Sequence, residues 1–181
     1  MSILSVYHVS SPGLPDKVLT HFEDIVSTLA EQGVDIRRLK APAPVVPGAS
    51  QKEVMSACQE PVEALMAEHG CLAVEVISVD SHHPQRAELR ARFVEDHHHA
   101  EDELRWVVAG RGLFSLRVGE FVYVVLCERN DLISIPAGTR QWFDMGEPPH
   151  FLAVRLFKSA SGLSATFTDE GIADQFPRLD D

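Results

Sequence analysis

Basic charge is scarce in this chain: 16 Lys and Arg stand against 27 Asp and Glu, a formal net charge of −11. No basic stripe exists to displace counterions from a polyanion, which argues against nucleic acid as a partner. Long apolar runs are missing too; none approaches the roughly 18 residues of a transmembrane helix, so no membrane association is expected. The opening Met1-Ser2-Ile3-Leu4-Ser5-Val6-Tyr7 lacks the basic region and long apolar stretch of a signal peptide and reads as a first β-strand. Cysteine is sparse: Cys58, Cys71 and Cys127 are odd in number and unclustered, which fits small buried hydrophobes in a reducing cytoplasm rather than a disulfide framework. Internal repeats and low-complexity segments are absent. What remains is 181 residues with 45% apolar content, enough for one core and one domain.

The first half is expected to be helical with an extended loop. A helix opens at Leu14-Pro15-Asp16, carries Val18, Leu19, Phe22, Ile25, Val26 and Leu29 at helical spacing, and stops at Gly33. Residues 41–48, rich in Pro, run extended over the surface. Ser50-Gln51-Lys52-Glu53 is a capping box for a second helix with the stripe Val54, Met55, Cys58, Val62, Leu65, Met66; Pro61 should kink or divide it. After Gly70 the period changes: Leu72 to Val79 reads as a strand and Pro84 to Arg90 as a short helix. From Phe93 onward come short β-runs, 104–109, 113–118, 121–127, 132–135 and 151–157, separated by turn signals such as Gly110-Arg111-Gly112. This pattern indicates a β-sandwich or barrel. The expected layout is one domain, with strand, helical and loop decoration over 1–92, a β-barrel core over 93–158 and a tail over 159–181 with a helical turn near Asp169 to Asp174.

The chemistry is concentrated in Glu95-Asp96-His97-His98-His99-Ala100-Glu101-Asp102-Glu103. Imidazoles at i and i+2 share one face of a strand, because strand side chains alternate, and a short turn returns Glu103 to the same point. Two imidazoles and a carboxylate form the ligand set of an open mononuclear site for Fe(II), Ni(II), Mn(II) or Zn(II). His98 faces the other way, and His82, His83 and His150 read as loop residues. Arg105, two past Glu103, shares its face and suits bidentate binding of an anionic substrate oxygen. Phe93, Trp142 and Phe143 flank these polar residues as candidate pocket walls.

The pattern resembles the cupins, metal-binding jelly rolls, whose first motif G-x5-H-x-H-x3-E-x6-G matches from His97 through Gly110, with Ala91 in place of the leading Gly. In the second motif Pro136 and Gly138 fit, Asn130 replaces the first Gly, Gln141 stands where a histidine is expected, and Met145 replaces the final Asn. More closely, Glu101-Asp-Glu-Leu-Arg105, Gly110-Arg-Gly-Leu-Phe114, Cys127-Glu-Arg-Asn-Asp-Leu-Ile-Ser-Ile-Pro-Ala137, Trp142-Phe-Asp-Met-Gly146, Val6-Tyr-His-Val-Ser-Ser11 and Phe176-Pro-Arg-Leu179 resemble the acireductone dioxygenase family of bacterial methionine salvage.

That resemblance implies a mainly β cupin jelly roll with flanking helices; a monomer in the cytoplasm is the expectation beside it. It further implies one Fe(II) or Ni(II) per chain, and an acireductone and O2 as substrates. His97, His99 and Glu103 are the implied ligands, with Gln141 at the fourth ligand position. Arg105 is the implied substrate anchor, Phe93 and Phe143 are pocket residues, and Leu163 stands at a pocket-wall position where the family commonly has Trp. Glu101 and Asp102 are candidate bases for substrate deprotonation. Because an amide is a poorer donor than imidazole for Fe(II) or Ni(II), lowered activity is one expectation. A non-catalytic or re-purposed metal-binding cupin, a sensor or an isomerase of an enolisable substrate, is the alternative.

Overall fold

The computed structural model describes residues 1–180; Asp181, the last residue of the expected tail, lies outside them. In chain order the elements are β1 (Ile3–His8), β2 (Lys17–Leu19), α1 (Phe22–Ala30), β3 (Asp35–Arg38), α2 (Gln51–His69), β4 (Ala73–Val79), α3 (Arg86–Phe93), β5 (His97–His98), β6 (Glu103–Val118), β7 (Phe121–Glu128), β8 (Asp131–Ile135), β9 (Arg140–Asp144), β10 (Phe151–Phe157) and β11 (Thr166–Phe167). Short 3-10 turns lie at Ala160–Leu163 and Ile172–Gln175.

The long β6 belongs to two sheets. Its first half pairs with β8 and β10, and its second half with β7 and β9. The pairing with β10 slips by one residue between Leu152 and Ala153, a bulge near Gly110, whose φ is 77°. That extra residue inverts the strand's alternation. Val107 before it and Phe114 and Leu116 after it all join the central core, with Phe143, Phe151 and Ala153. Val108, Leu104 and Trp106 point outward instead, into a second cluster under α2. Gly110 admits no larger residue, because a Cβ there would lie 1.9 Å from the His150 carbonyl oxygen. The expected Gly110-Arg111-Gly112 turn is therefore a bend inside one strand.

Other expectations change for similar tertiary reasons. Lys17–Leu19 is not the start of α1 but a short strand that pairs with β1, so the helix begins at Phe22. Pro61 sits inside α2 without dividing its 19 residues. The helix is capped by Ser50, whose side chain accepts from the Glu53 N–H, and ends at left-handed Gly70. Val54, Cys58, Val62 and Leu65 bury its inner stripe. The strands β3, β9 and β11 have no counterpart among the expected ones. Nor is the first half mere decoration of a barrel that starts at Phe93: β1, β3 and β4 pair with β7, β8 and β10 respectively. Cys58, Cys71 and Cys127 are buried free thiols, and no helix among the described residues is long and apolar enough to cross a membrane.

Candidate metal centre

Inward-facing positions of four strands meet at one end of the central core. His97 lies on β5, in register with Gln141 of β9, and both are buried. Glu103 and Arg105 occupy successive inward positions of β6, and Arg155 of β10 is the cross-strand partner of Arg105. His99 follows β5 and lies 5.3 Å from His97, ring centre to ring centre.

Hydrogen bonds fix both imidazole tautomers. His97 Nδ1 lies 2.7 Å from the Glu95 carbonyl oxygen, and His99 Nδ1 lies 2.8 and 3.1 Å from those of Gly162 and Ser164. Carbonyls only accept, so each Nδ1 carries the proton and each Nε2 keeps its lone pair. Burial pushes the His97 pKa down to about 4, against the opposing Glu95 hydrogen bond, and burial lowers His99 as well. Both rings are neutral at pH 7.

Burial works to raise the Glu103 carboxyl, but the guanidinium groups of Arg105 and Arg155 outweigh it and hold Glu103 well below the usual carboxylate range. All three contacts fall on one oxygen: Oε2 accepts from Arg105 Nη2 at 2.7 Å and from Arg155 Nε at 3.0 Å, with Arg155 Nη2 also 3.0 Å away. The other oxygen, Oε1, is buried without a hydrogen-bond partner among the described residues, as are Arg105 Nε and Nη1. A buried polar atom left unpaired costs about 1–3 kcal/mol, so these three atoms are available to a ligand. The donor set of two neutral imidazoles and an ionised carboxylate with a free oxygen fits a divalent transition-metal ion. As the side chains stand, no three of His, Cys, Asp and Glu among the described residues form a group that would hold an ion. Instead Arg155 Nη2 lies 3.1 Å from His99 Nε2.

The aromatic residues divide by strand phase. Phe143 packs at 4.6 Å from Phe114 and 4.7 Å from Phe151, and Phe93 meets it edge-on at 6.1 Å. The Arg105 guanidinium carbon lies 5.6, 5.0 and 5.2 Å from the ring centres of Phe93, Phe114 and Phe143. Trp142, expected as a pocket wall, points the other way, because β9 turns Gln141 and Phe143 inward. It packs outside the sheet against Phe176 at 5.8 Å. Leu163 does line the small cavity beside His97 and His99, with Arg92, Phe93, Arg155, Ala165 and Phe167.

Neither expected base faces the centre. Asp102 is exposed and accepts from the Ala137 N–H at 2.7 Å, which fixes the turn before β9. Glu101 accepts from the Ser159 N–H at 2.9 Å and from its hydroxyl. It anchors the turn whose Gly162 carbonyl holds His99, and a Cβ on Gly162 would lie 2.3 Å from Glu101 Oε1. Both carboxylates position backbone. Two buried residues escaped the sequence reading: Phe157, 5.0 Å from the His99 ring, and Arg155. The signal for Arg155 is a lone cation in an inward position of the otherwise apolar run Phe151–Phe157.

A jelly-roll barrel carrying H-x-H-x3-E on its inner face is a cupin, the class of metal-binding β-barrel to which this architecture corresponds. An acireductone dioxygenase from Bacillus anthracis, solved with a cadmium ion in its active centre, has the same fold: TM-score 0.80, 23% identity, covering 92% of this chain and 98% of that one. Within that class the chain belongs to the ARD/ARD′ family, whose model matches residues 11–165. Proteins named acireductone dioxygenase from Pseudomonas fluorescens strain Pf0-1 and Pseudomonas syringae pv. syringae are each 63% identical over 181 residues, the full length of both chains.

Proposed function

We propose that this chain is a metal-dependent dioxygenase that cleaves an acireductone, 1,2-dihydroxy-3-keto-5-methylthiopentene, with O2 in methionine salvage. With Fe(II) the products are formate and 2-keto-4-methylthiobutyrate; with Ni(II) they are formate, CO and methylthiopropionate. The observation that carries this reading is full-length identity of 63% with relatives of that name. Three buried free thiols suit a reducing cytoplasm.

His97, His99 and Glu103 would hold the ion, and Gln141 stands at the fourth position. Bound there, the metal would supply Lewis-acid polarisation of the substrate and a site for O2 chemistry. The rest falls to the chain. Arg105 offers two unpartnered N–H groups, on Nε and Nη1, to a substrate oxyanion, and its seat among three phenylalanines fixes its direction. Phe93 and Phe143 exclude water from that contact. Glu101 holds the Ser159–Gly162 turn and through it the orientation of His99.

The cavity beside His97 and His99 measures about 10 Å³, room for one water-sized group. A far larger one of about 520 Å³, between the start of α2, β4 and α3, shares Arg92, Phe93 and Arg155 with it and adds Ile77, Val79 and Leu89. The methylthio tail extends into this larger space. Leu89→Trp is therefore expected to raise KM about tenfold, the effect of roughly 1–3 kcal/mol of overpacking, with metal content unchanged. Steady-state kinetics with metal analysis checks this.

Product analysis tests the function itself. Protein reconstituted with Fe(II) should give formate and the keto acid, and the Ni(II) form should release CO. Gln141→His should raise metal affinity about tenfold, since imidazole is the better donor. An unchanged affinity would remove position 141 from the metal's surroundings.

A further inference from the structure

Arg155 makes a contact that a simple second partner of Glu103 would not need. Its Nη2 lies 3.1 Å from His99 Nε2, the ring nitrogen whose lone pair is free because Nδ1 donates to the Gly162 and Ser164 carbonyls. The same guanidinium reaches Glu103 Oε2 through Nε at 3.0 Å. One planar cation thus spans two of the three candidate metal ligands. We propose that Arg155 is a displaceable placeholder for the metal: it occupies the His99 lone pair in the metal-free protein and yields it when a divalent cation binds. The inference rests on the metal-centre reading of His97, His99 and Glu103.

Three features make the exchange feasible. Arg155 already holds a second carboxylate, Glu75, through Nη1 at 3.2 Å, and Glu75 is its register partner on β4. Both residues line the cavity of about 520 Å³, so the guanidinium has a charge partner and open space on the side away from His99. Glu103 Oε1 is unpartnered, so an ion can take that oxygen while Oε2 stays with the arginines. The exchange then gives up the Nη2 contacts with His99 and Glu103 Oε2, while Nε keeps its hydrogen bond to Oε2. Arg105 differs: it is fully buried, lines neither of the two cavities beside Arg155, and its hydrogen bond runs to Glu103 rather than to His99. A consequence is selectivity. An incoming ion must outcompete a guanidinium for an imidazole lone pair, which favours nitrogen-preferring transition metals over Mg(II) or Ca(II).

The test uses the full chain, labelled with 15N and freed of metal, with Zn(II) as a diamagnetic probe. In metal-free protein the Arg155 Nη2 protons are expected to be protected from exchange and to show a through-hydrogen-bond correlation to His99 Nε2; saturation with Zn(II) should abolish both. Arg155→Lys keeps the charge but lacks the planar fork that spans both ligands; with one competing hydrogen bond removed, it should bind Zn(II) about tenfold more tightly than the wild type. Persistence of the Arg155–His99 correlation at Zn(II) saturation would overturn the proposal. So would equal or weaker Zn(II) binding by Arg155→Lys, the result expected if Arg155 only supports Glu103 or acts through its charge. Zn(II) binding by neither protein would instead defeat the metal-centre reading, and this inference with it. The wild-type titration stands even where the Lys variant folds poorly.

Discussion

Glu103→Gln is expected to lower the stability of the metal-free protein by about 3–5 kcal/mol, the usual cost of stripping one partner from a buried ion pair. For a chain of this length that corresponds to a fall in Tm of roughly 6–20 °C. Arg105 is fully buried and Arg155 is 3% exposed, so neither guanidinium is solvated where it stands when its carboxylate is neutralised. The two are also direct cross-strand partners between β6 and β10, an arrangement in which like charges repel. Glu103 Oε2 is the atom that joins them, while Glu75, at the edge of the cluster, reaches Arg155 through Nη1. The variant should also fail to retain metal. Thermal denaturation of metal-free protein, with metal analysis of the reconstituted sample, checks both parts; an unchanged Tm would mean that the carboxylate does not hold the cluster together.

The second large effect is a dependence of stability on pH that comes from His97. The ring titrates at about 6.5 when unfolded and is pushed down to about 4 by burial in the fold. Between these values the unfolded chain binds a proton that the native protein refuses, so stability rises with pH. It is fully present above about 6.5, is lost as pH falls toward 4, and amounts to about 3 kcal/mol from His97 alone. His99 is shifted in the same direction and adds to it. Urea denaturation of metal-free protein at a series of pH values should show this slope, and His97→Gln should flatten it. A bound metal should steepen the loss, because it requires neutral imidazoles and competes with protons. A wild-type profile that is level from pH 7 to 4.5 would contradict the buried neutral imidazole.

How much of this was legible beforehand follows from the range of the interactions involved. The proposed ligand set His97, His99 and Glu103 is local in sequence, so its spacing is readable there, and the fold buries all three residues. Phe151–Phe157 was also readable as a strand, since it is a continuous apolar run. Arg155 was not assigned, because its partners Glu103 and Glu75 are set by how β10 pairs with β6 and β4, a register that no local pattern contains. The phase of Trp142 was misjudged for the same reason: a five-residue strand with apolar residues on both faces does not say which face is inside. Val18 and Leu19 fell at helical spacing, yet pairing with β1 held them extended. Glu101 and Asp102 looked like bases because a carboxylate near a motif invites chemistry, and their backbone partners Ser159 and Ala137 lie 58 and 35 residues away.

Oxygen uptake by the Fe(II)-loaded native chain, with Gln141 in place and an acireductone as substrate, tests the proposed activity most directly. A centre built on His97, His99 and Glu103 predicts saturable uptake above the non-enzymatic background, with formate and the 2-keto acid formed in step with it. No uptake above background at full metal occupancy would contradict the dioxygenase assignment and leave a cupin that binds metal for another purpose.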